Sequence, residues 1–169
     1  MGKFINFLRE TDLFYNLSPL QLEMVDSLCE EKAYREAEII FSENSPEKEL
    51  YLIFRGQVEI IVNPGLVSAT PDVMVKPEVI ATLMRGQSFG EVALVDQGVR
   101  SASARAAMRD TLLLKISRDR LLVVCNSYPE LGYRVMYNLA LDLSQKIRNA
   151  DLKIREVLLY QSRRSGTPH

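Results

Sequence analysis

The sequence is poor in the side chains that build metal centres and nucleophilic active sites. Its single histidine is the last residue, His169, and its two cysteines, Cys29 and Cys125, lie far apart. Zinc, haem and iron–sulfur sites need His or Cys clusters, and an activated nucleophile needs a Ser-His or Cys-His pair. We therefore expect no metal, no cofactor and no catalytic residues, and an enzyme is the least favoured class.

Long apolar runs and strong net charge are also missing. No stretch approaches the ~18 apolar residues of a membrane-spanning helix, and the first ten residues lack the apolar core and cleavage site of a signal peptide. The net charge of −1 provides no basic field for nucleic acid or an anionic membrane. We expect a cytoplasmic protein without membrane or direct DNA contacts. Its cysteines should be buried free thiols, although a disulfide stays open.

What is present is typical of a globular domain with helices at its start. Hydrophobic residues make up 47% of the 169 residues and charged residues 25%, which favours one domain with a full core. Ser18, Pro19 and Gln21 match an N-cap, a first-turn proline and a capping box. We assign residues 1–35 to N-terminal helices. One helical face then carries apolar residues at Leu22, Val25 and Leu28.

A series of short apolar runs separated by Gly and Pro turns occupies residues 36–116. Such a series is typical of a β-sandwich or β-roll. The segment 63–78 contains three prolines and one glycine, so we interpret it as a loop with a short strand candidate at 73–75. The other strand candidates are 38–41, 50–54, 57–62, 79–83, 101–107 and 110–116.

The pattern returns to helices at residues 117–160. Ser117 is placed to cap one helix, and Pro129 opens a long helix to about Tyr160. Residues 161–169 are expected to form a flexible tail.

The long helix carries an apolar seam with alternating spacings of three and four residues. The seam predicts a homodimer through residues 129–160. Packing within the chain is the alternative, although a second stripe at Val135, Leu139 and Leu158 suits that role. The seam residues are Tyr133, Met136, Ala140, Leu143, Ile147, Ala150, Ile154 and Val157.

One segment, residues 88–106, combines an acid after a glycine with an arginine among small residues. Its sequence from Phe89, FGEVALVDQGVRSASARA, resembles the phosphate-binding cassette of cyclic nucleotide-binding domains. The family pattern is F-G-E, an apolar residue, A-L, a short turn, then R, a small residue and A. The positions in register are Phe89, Gly90, Glu91, Ala93, Leu94, Arg100 and Ala102.

The resemblance extends to most of the chain. The segments LYLIFRGQVEI and RGQSFGE match the family as well, and so does the order of helices, strands and helices. It implies one cyclic nucleotide-binding domain over residues 1–160 with an α+β fold. That fold is an eight-stranded antiparallel β-roll, a jelly-roll-like double-stranded β-helix, flanked by N-terminal helices and two C-terminal helices, the last one long.

The resemblance also implies roles for the cassette residues. The guanidinium of Arg100 would fork onto the phosphate, while Glu91, repelled by that anion, would accept a hydrogen bond from the ribose 2′-OH. A short helix beginning at Val92 would point backbone N–H groups at the anion. The implied ligand-binding residues are Gly90, Glu91, Val92, Ala93, Arg100, Ser101 and Ala102, with Phe89 and Asp151 as further candidates.

Base selectivity is less directly encoded. In the family, members with a threonine directly after the cassette arginine often bind cGMP. Here that residue is Ser101, as in many bacterial cAMP-binding regulators. The resemblance therefore favours cAMP as the ligand, with cGMP as the open alternative. Polar residues of the long helix cap the base in dimeric members, and Asp151 could accept a hydrogen bond from adenine. Alternatively, Lys146 and Asp151 would pair across a parallel dimer at heptad positions g and e.

The sequence departs from the family pattern in several turns. Ala37 and the segment 43–45 stand where glycines are common, and Val99 replaces a common proline. Family members usually carry an output domain as well, and none is recognised here. We expect a stand-alone sensor that acts on a protein effector, or the regulatory piece of a longer protein. The rival hypothesis is a dimeric scaffold with a vestigial pocket or a different anionic ligand.

Overall fold

A computed structural model describes residues 2–66, 75–96 and 98–165. The described chain contains five α-helices and eight strands. The helices are α1 (Ile5–Glu10), α2 (Pro19–Asp26), α3 (Val92–Val95), α4 (Arg118–Ser127) and α5 (Pro129–Ser165). The strands are β1 (Cys29–Tyr34), β2 (Ile39–Phe41), β3 (Glu49–Arg55), β4 (Gln57–Val62), β5 (Glu78–Met84), β6 (Ser88–Phe89), β7 (Ser103–Ala106) and β8 (Thr111–Ser117).

The strands form two four-stranded antiparallel sheets with the orders β1-β8-β3-β6 and β2-β7-β4-β5. Consecutive strands often lie in different sheets, so the chain winds between the two layers as a β-roll. Helices flank the roll at both ends of the chain, and the last helix is long. The predicted α+β class and the eight-stranded roll are confirmed.

Strand β3 separates two hydrophobic clusters by the alternation of its side chains. Leu50 and Leu52 point to a cluster beneath α1, α2, α4 and α5. Tyr51 and Ile53 point to a second cluster inside the roll. Because successive side chains of a strand face opposite sides, one strand joins the helical layer to the roll.

The local signals for α2 are confirmed. The Ser18 hydroxyl accepts a hydrogen bond from the Gln21 backbone N–H, and the Gln21 side chain accepts one from the Ser18 N–H at 2.8 Å. Pro19 occupies the first turn. The predicted capping box therefore fixes where this helix begins.

Two boundaries of the sequence analysis are wrong. Residues 29–34, assigned to the N-terminal helices, form β1 and pair with β8 from Cys29↔Ile116 to Tyr34↔Thr111. Only Tyr34 of this strand is buried, so no apolar alternation marked it, and its pairing with β8 decides its conformation. Residues 161–165, assigned to the flexible tail, continue α5. Residues 166–169 and positions 73 and 74 of the strand candidate at 73–75 lie outside the described residues, while Val75 is described and belongs to no strand.

The buried residues of α5 lie in its first part. Leu131, Val135 and Leu139 are buried, and the amide of Asn138 donates to the backbone oxygens of Leu13 and Tyr15 at 3.0 and 2.9 Å. The intramolecular stripe is thus confirmed at Val135 and Leu139. It is wrong at Leu158, which is 58% exposed.

Both cysteines are free thiols. Burial raises the pKa of both, and for Cys29, with a further contribution from the charge of Asp26, to about 12. Thiols with raised pKa values are poor nucleophiles. No helix in the described ranges has the length and apolar character needed to span a membrane.

Candidate ligand-binding site

The backbone of Arg100 is held by the turn that follows β2. Its N–H donates to the carbonyl oxygen of Ser45 at 3.0 Å, and its carbonyl oxygen accepts from the N–H of Asn44 at 2.8 Å. Asn44 has a φ of 65°, as does Ala37. Both positions where the family commonly has glycine therefore keep the left-handed conformation, which asparagine tolerates better than alanine.

The side chain of Arg100 is buried, with 3% of its surface exposed. Nη1 donates to the carbonyl oxygen of Gly90 at 3.1 Å, and Nη2 donates to that of Glu49 at 2.7 Å. The guanidinium carbon lies 4.1 Å from the centre of the Phe41 ring. The Nε atom is buried and finds no hydrogen-bond partner among the described residues. A buried donor in that state costs about 1–3 kcal/mol, which an acceptor bound there would offset.

The electrostatic surroundings keep a positive charge at this position. Burial lowers the pKa of Arg100, whereas Tyr51 and the carboxylates of Glu47, Glu49 and Glu91 act in the opposite direction. An arginine begins from so high a pKa that it stays protonated in proteins. The site therefore holds a permanent cation in a largely dehydrated position.

Gly90 is required by the close approach of Arg100. It has a φ of 77°, and a Cβ atom there would lie 2.6 Å from Nη1 of Arg100 and 2.9 Å from the carbonyl oxygen of Glu49. Both contacts are too short for a methyl group, so glycine lets the backbone reach the guanidinium.

Glu91 is the N-cap residue of α3 and is buried, with 6% exposed. Its Oε1 accepts a hydrogen bond from Nζ of Lys146 at 2.7 Å. Lys146 also donates to the carbonyl oxygen of Ser88 at 2.9 Å and forms an ion pair with Asp142, one turn earlier on α5, at 2.7 Å. Burial alone would lower the pKa of Lys146, but Glu91 and Asp142 outweigh it and raise that pKa. The negative charge of the Glu91 carboxylate is thus balanced by Lys146 of α5.

Sequence reasoning missed this role of Lys146. The heptad interpretation paired it with Asp151 of a second copy, whereas its ammonium contacts Glu91 and Asp142 of its own chain. Lys153, seven residues later on the same helical face, donates to the carbonyl oxygen of Ile80. Asp151 is exposed and lies about 140° around the helix from Lys146. The seven-residue spacing of Lys146 and Lys153 was the sequence signal that both lie on one face of the helix.

Three predicted residues meet in the structure: Arg100 donates to the carbonyl oxygen of Gly90, and Glu91, the next residue, is close enough to raise the pKa of Arg100 by its charge. The others lie around them with less direct contacts. Phe89 is buried beside Tyr51 in the roll, Ala93 is buried in α3, Ala102 is half-buried, and Val92 and Ser101 are exposed. Glu49 was missed because it contributes a backbone oxygen, and Phe41 because nothing in its local pattern points to Arg100.

Both C-terminal helices contact the cassette. The Nε of Arg118, at the start of α4, donates to the carbonyl oxygen of Leu94 in α3 at 3.1 Å. Lys146 makes the corresponding contact from α5. A displacement of α3 would therefore act on α4 and α5 together. In the described chain, no group of three or more His, Cys, Asp or Glu side chains is arranged to hold a metal ion.

Comparisons with known proteins agree with this geometry. The family model of the cyclic nucleotide-binding domain matches residues 31–128. The chain is 30% identical over 159 residues to the cyclic AMP receptor protein of Thermus thermophilus, covering 94% of this chain and 67% of that protein. It is 28% identical over 126 residues to human cGMP-dependent protein kinase 2, covering 75% of this chain but only 16% of the kinase.

Solved structures show the same fold. The catabolite activator protein of Thermus thermophilus superposes with a TM-score of 0.70 at 30% identity, covering 87% of this chain and 63% of that one. A cyclic nucleotide-binding domain from Methylobacillus flagellatus superposes with a TM-score of 0.75 at 24% identity, covering 92% and 87%. The family model matches more than half of the chain, and the roll brings the cassette glycine, acid and arginine together. The chain therefore belongs to the cyclic nucleotide-binding domain family.

Proposed function

We propose that the chain binds cAMP through Arg100 and Glu91 and signals by re-packing its C-terminal helices. One observation carries the proposal: a buried arginine, with an Nε donor that meets no acceptor within the described ranges, lies beside a buried acid. A cyclic nucleotide presents one anionic phosphate and one ribose hydroxyl. These two groups match the cation and the acceptor of the site.

The free edge of Arg100 suits a phosphate. The guanidinium has five N–H donors in one plane, and one donor each of Nη1 and Nη2 is used by the backbone carbonyls of Gly90 and Glu49. The Nε–H and one N–H of Nη2 lie along one edge of the plane. That edge can donate two parallel hydrogen bonds to two phosphate oxygens.

Glu91 suits the ribose. Its carboxylate has two oxygens and about four acceptor positions, of which Lys146 takes one on Oε1. The carboxylate repels a phosphate but accepts a hydrogen bond from a neutral hydroxyl. Lys146 offsets the cost of holding this charge in a buried position.

The choice of base rests on Ser101 and on the relatives. One similar protein is named a cyclic AMP receptor, and another a cGMP-dependent kinase. Serine after the cassette arginine favours cAMP by the family pattern. We expect Ser101→Thr to raise the affinity for cGMP relative to cAMP, because the added methyl group restricts the hydroxyl to fewer rotamers.

Signal transmission depends on the two helix contacts. A ligand that draws the cassette inward shifts Glu91 and Leu94, which Lys146 and Arg118 tie to α5 and α4. The ligand shifts that equilibrium only by its difference in affinity for the two arrangements. In a homodimer joined through the apolar seam of α5, this re-packing changes the seam or exposes a surface for a protein effector.

Calorimetric titration of nucleotide-free protein with cAMP and then cGMP tests the proposal. Arg100→Ala removes the charged fork and should weaken cAMP binding about 30-fold or more, which corresponds to roughly 2–5 kcal/mol. Arg109→Ala is the control, since the Arg109 side chain is 90% exposed and outside the site. If neither nucleotide binds to the wild-type protein, the scaffold hypothesis takes precedence.

A further inference from the structure

We propose that Phe41 is a positioning residue that fixes the plane of the Arg100 guanidinium and so determines which phosphate oxygens accept its hydrogen bonds. The inference rests on the proposed function and concerns a residue outside the cassette. The guanidinium carbon lies 4.1 Å from the centre of the Phe41 ring. At that distance a cation is attracted to the face of the ring, most strongly where water is excluded.

The ring is itself held in place. Phe41 is 6% exposed, and its ring centre lies 5.9 Å from that of Tyr51 and 5.8 Å from that of Phe89. The Tyr51 and Phe89 rings stack on each other at 5.2 Å with an interplanar angle of 12°. The three rings pack together inside the roll, and the guanidinium lies against the Phe41 ring.

The Phe41 ring restrains the orientation of the guanidinium plane, which the hydrogen bonds alone do not fix. The carbonyl oxygens of Gly90 and Glu49 hold the Nη1 and Nη2 end of the group. These two acceptors lie at one end of the group, and the other end is joined through Nε to a flexible side chain, so the plane can still rotate to some extent about the line between the acceptors. Contact with the Phe41 ring stops that rotation, and a planar fork needs a fixed plane to reach two phosphate oxygens.

The strand that carries Phe41 also holds the Arg100 backbone. Phe41 ends β2, and the turn after it supplies the Asn44 and Ser45 hydrogen bonds to Arg100. Backbone and guanidinium are therefore positioned by one continuous segment. This segment lies outside the cassette pattern, which explains why the cassette alone does not identify Phe41.

The two phosphorothioate diastereomers of cAMP, in which sulfur replaces one or the other exocyclic oxygen, test the proposal. A fixed fork distinguishes the two oxygens, so the wild-type protein should bind the diastereomers with clearly different affinities. We expect Phe41→Leu and Phe41→Met, which keep an apolar side chain but remove the aromatic ring, to weaken cAMP binding about tenfold and to bring the affinity ratio of the diastereomers toward one. Phe41→Tyr, which retains an aromatic ring, should keep the wild-type affinity for cAMP and the wild-type affinity ratio.

Phe54→Leu is the matched control, because Phe54 packs with Phe4 and Phe7 in the other cluster. It should lower stability without changing the diastereomer ratio. A purely structural role of Phe41 would lower both affinities equally, and an unchanged ratio in Phe41→Leu or Phe41→Met would overturn the proposal.

The Nε–H resonance of Arg100 in the ligand-free protein tests the contact without any nucleotide. A proton near the face of an aromatic ring is shifted upfield by the ring current, so the wild-type resonance should be upfield and should return to its ordinary position in Phe41→Met. An ordinary position in the wild type would refute the contact. Failure of the wild type to bind either nucleotide while the shift is present would instead refute the proposed function.

Discussion

Nζ of Lys146 lies 2.7 Å from Oε1 of Glu91, so the long C-terminal helix forms an ion pair with the cassette acid 55 residues earlier. The same ammonium lies 2.7 Å from Asp142 on its own helix. A lysine shared between the site and the helix gives Glu91 a link to α5 that the cassette sequence does not contain. We propose that this link makes α5 respond to a ligand bound at Glu91.

We expect Lys146→Met to destabilise the fold by about 2 kcal/mol, because it leaves the buried Glu91 without its partner. Glu91→Gln in the same background should recover most of that loss. Urea unfolding of the two single variants and the double variant measures the coupling. Additive effects of the two substitutions would show that the ion pair contributes nothing.

Gly90→Ala should abolish nucleotide binding and destabilise the protein by at least about 1 kcal/mol more than Gly86→Ala. Both glycines have positive φ, of 77° and 90°, so both substitutions carry backbone strain. A Cβ at position 86 meets nothing within 4 Å, whereas one at position 90 meets Arg100 and Glu49. Equal stabilities of the two variants in denaturant titrations would contradict the close approach at Gly90.

Ala37→Gly should stabilise the protein by about 0.5 kcal/mol, because the relief of a left-handed alanine exceeds the extra entropy of the unfolded glycine chain. Ala37 has a φ of 65°. Ala33→Gly, at an exposed position in β1, is the opposite case and should cost about 0.5–1 kcal/mol. Thermal unfolding of both variants measures the difference, and a loss of stability in Ala37→Gly would disagree with the conformation described.

Ile154→Glu should convert a dimer to a monomer, whereas Leu152→Glu should not. The two side chains are 57% and 58% exposed in the single chain, but only Ile154 lies on the heptad seam. A charge in a dimer seam would be buried without a partner. Light scattering after size exclusion measures the mass. A monomeric wild type, or the same mass for both variants, would contradict the proposed interface.

Stability should fall as the pH rises above about 8.5, the ordinary pKa of a free thiol. The pKa of Cys29 is raised to about 12, so between these values the unfolded chain loses a proton that the folded chain keeps. The stabilisation is present below the lower value and is lost as pH rises. Urea unfolding at pH 7 and pH 10 should show a smaller decline for Cys29→Ala than for the wild type, and equal declines would refute the shift.

The sequence predicts the features that local chemistry determines. The capping box of Ser18 and Gln21, the short helix at Val92 and the spacing from Gly90 to Arg100 need only neighbours along the chain. Residues 29–34 could not be assigned to a strand, because their side chains are mostly exposed and β8 supplies the pairing.

The contacts that complete the site depend on distant parts of the chain. Phe41 meets Arg100 only once β2 lies beside β7, and Lys146 meets Glu91 only once α5 lies against the roll. Glu49 acts through its backbone oxygen, which any residue would provide. Such contacts have no local pattern, so only the fold could identify these residues.

Hydrogen exchange of α5, residues 129–165, with and without saturating cAMP tests the central claim most directly. If nucleotide bound at Arg100 and Glu91 acts on α5 through Lys146, the exchange protection of this helix should change on binding. The change should be lost in Lys146→Met. Binding of cAMP with unchanged protection throughout the helix would contradict signalling by re-packing of the C-terminal helices.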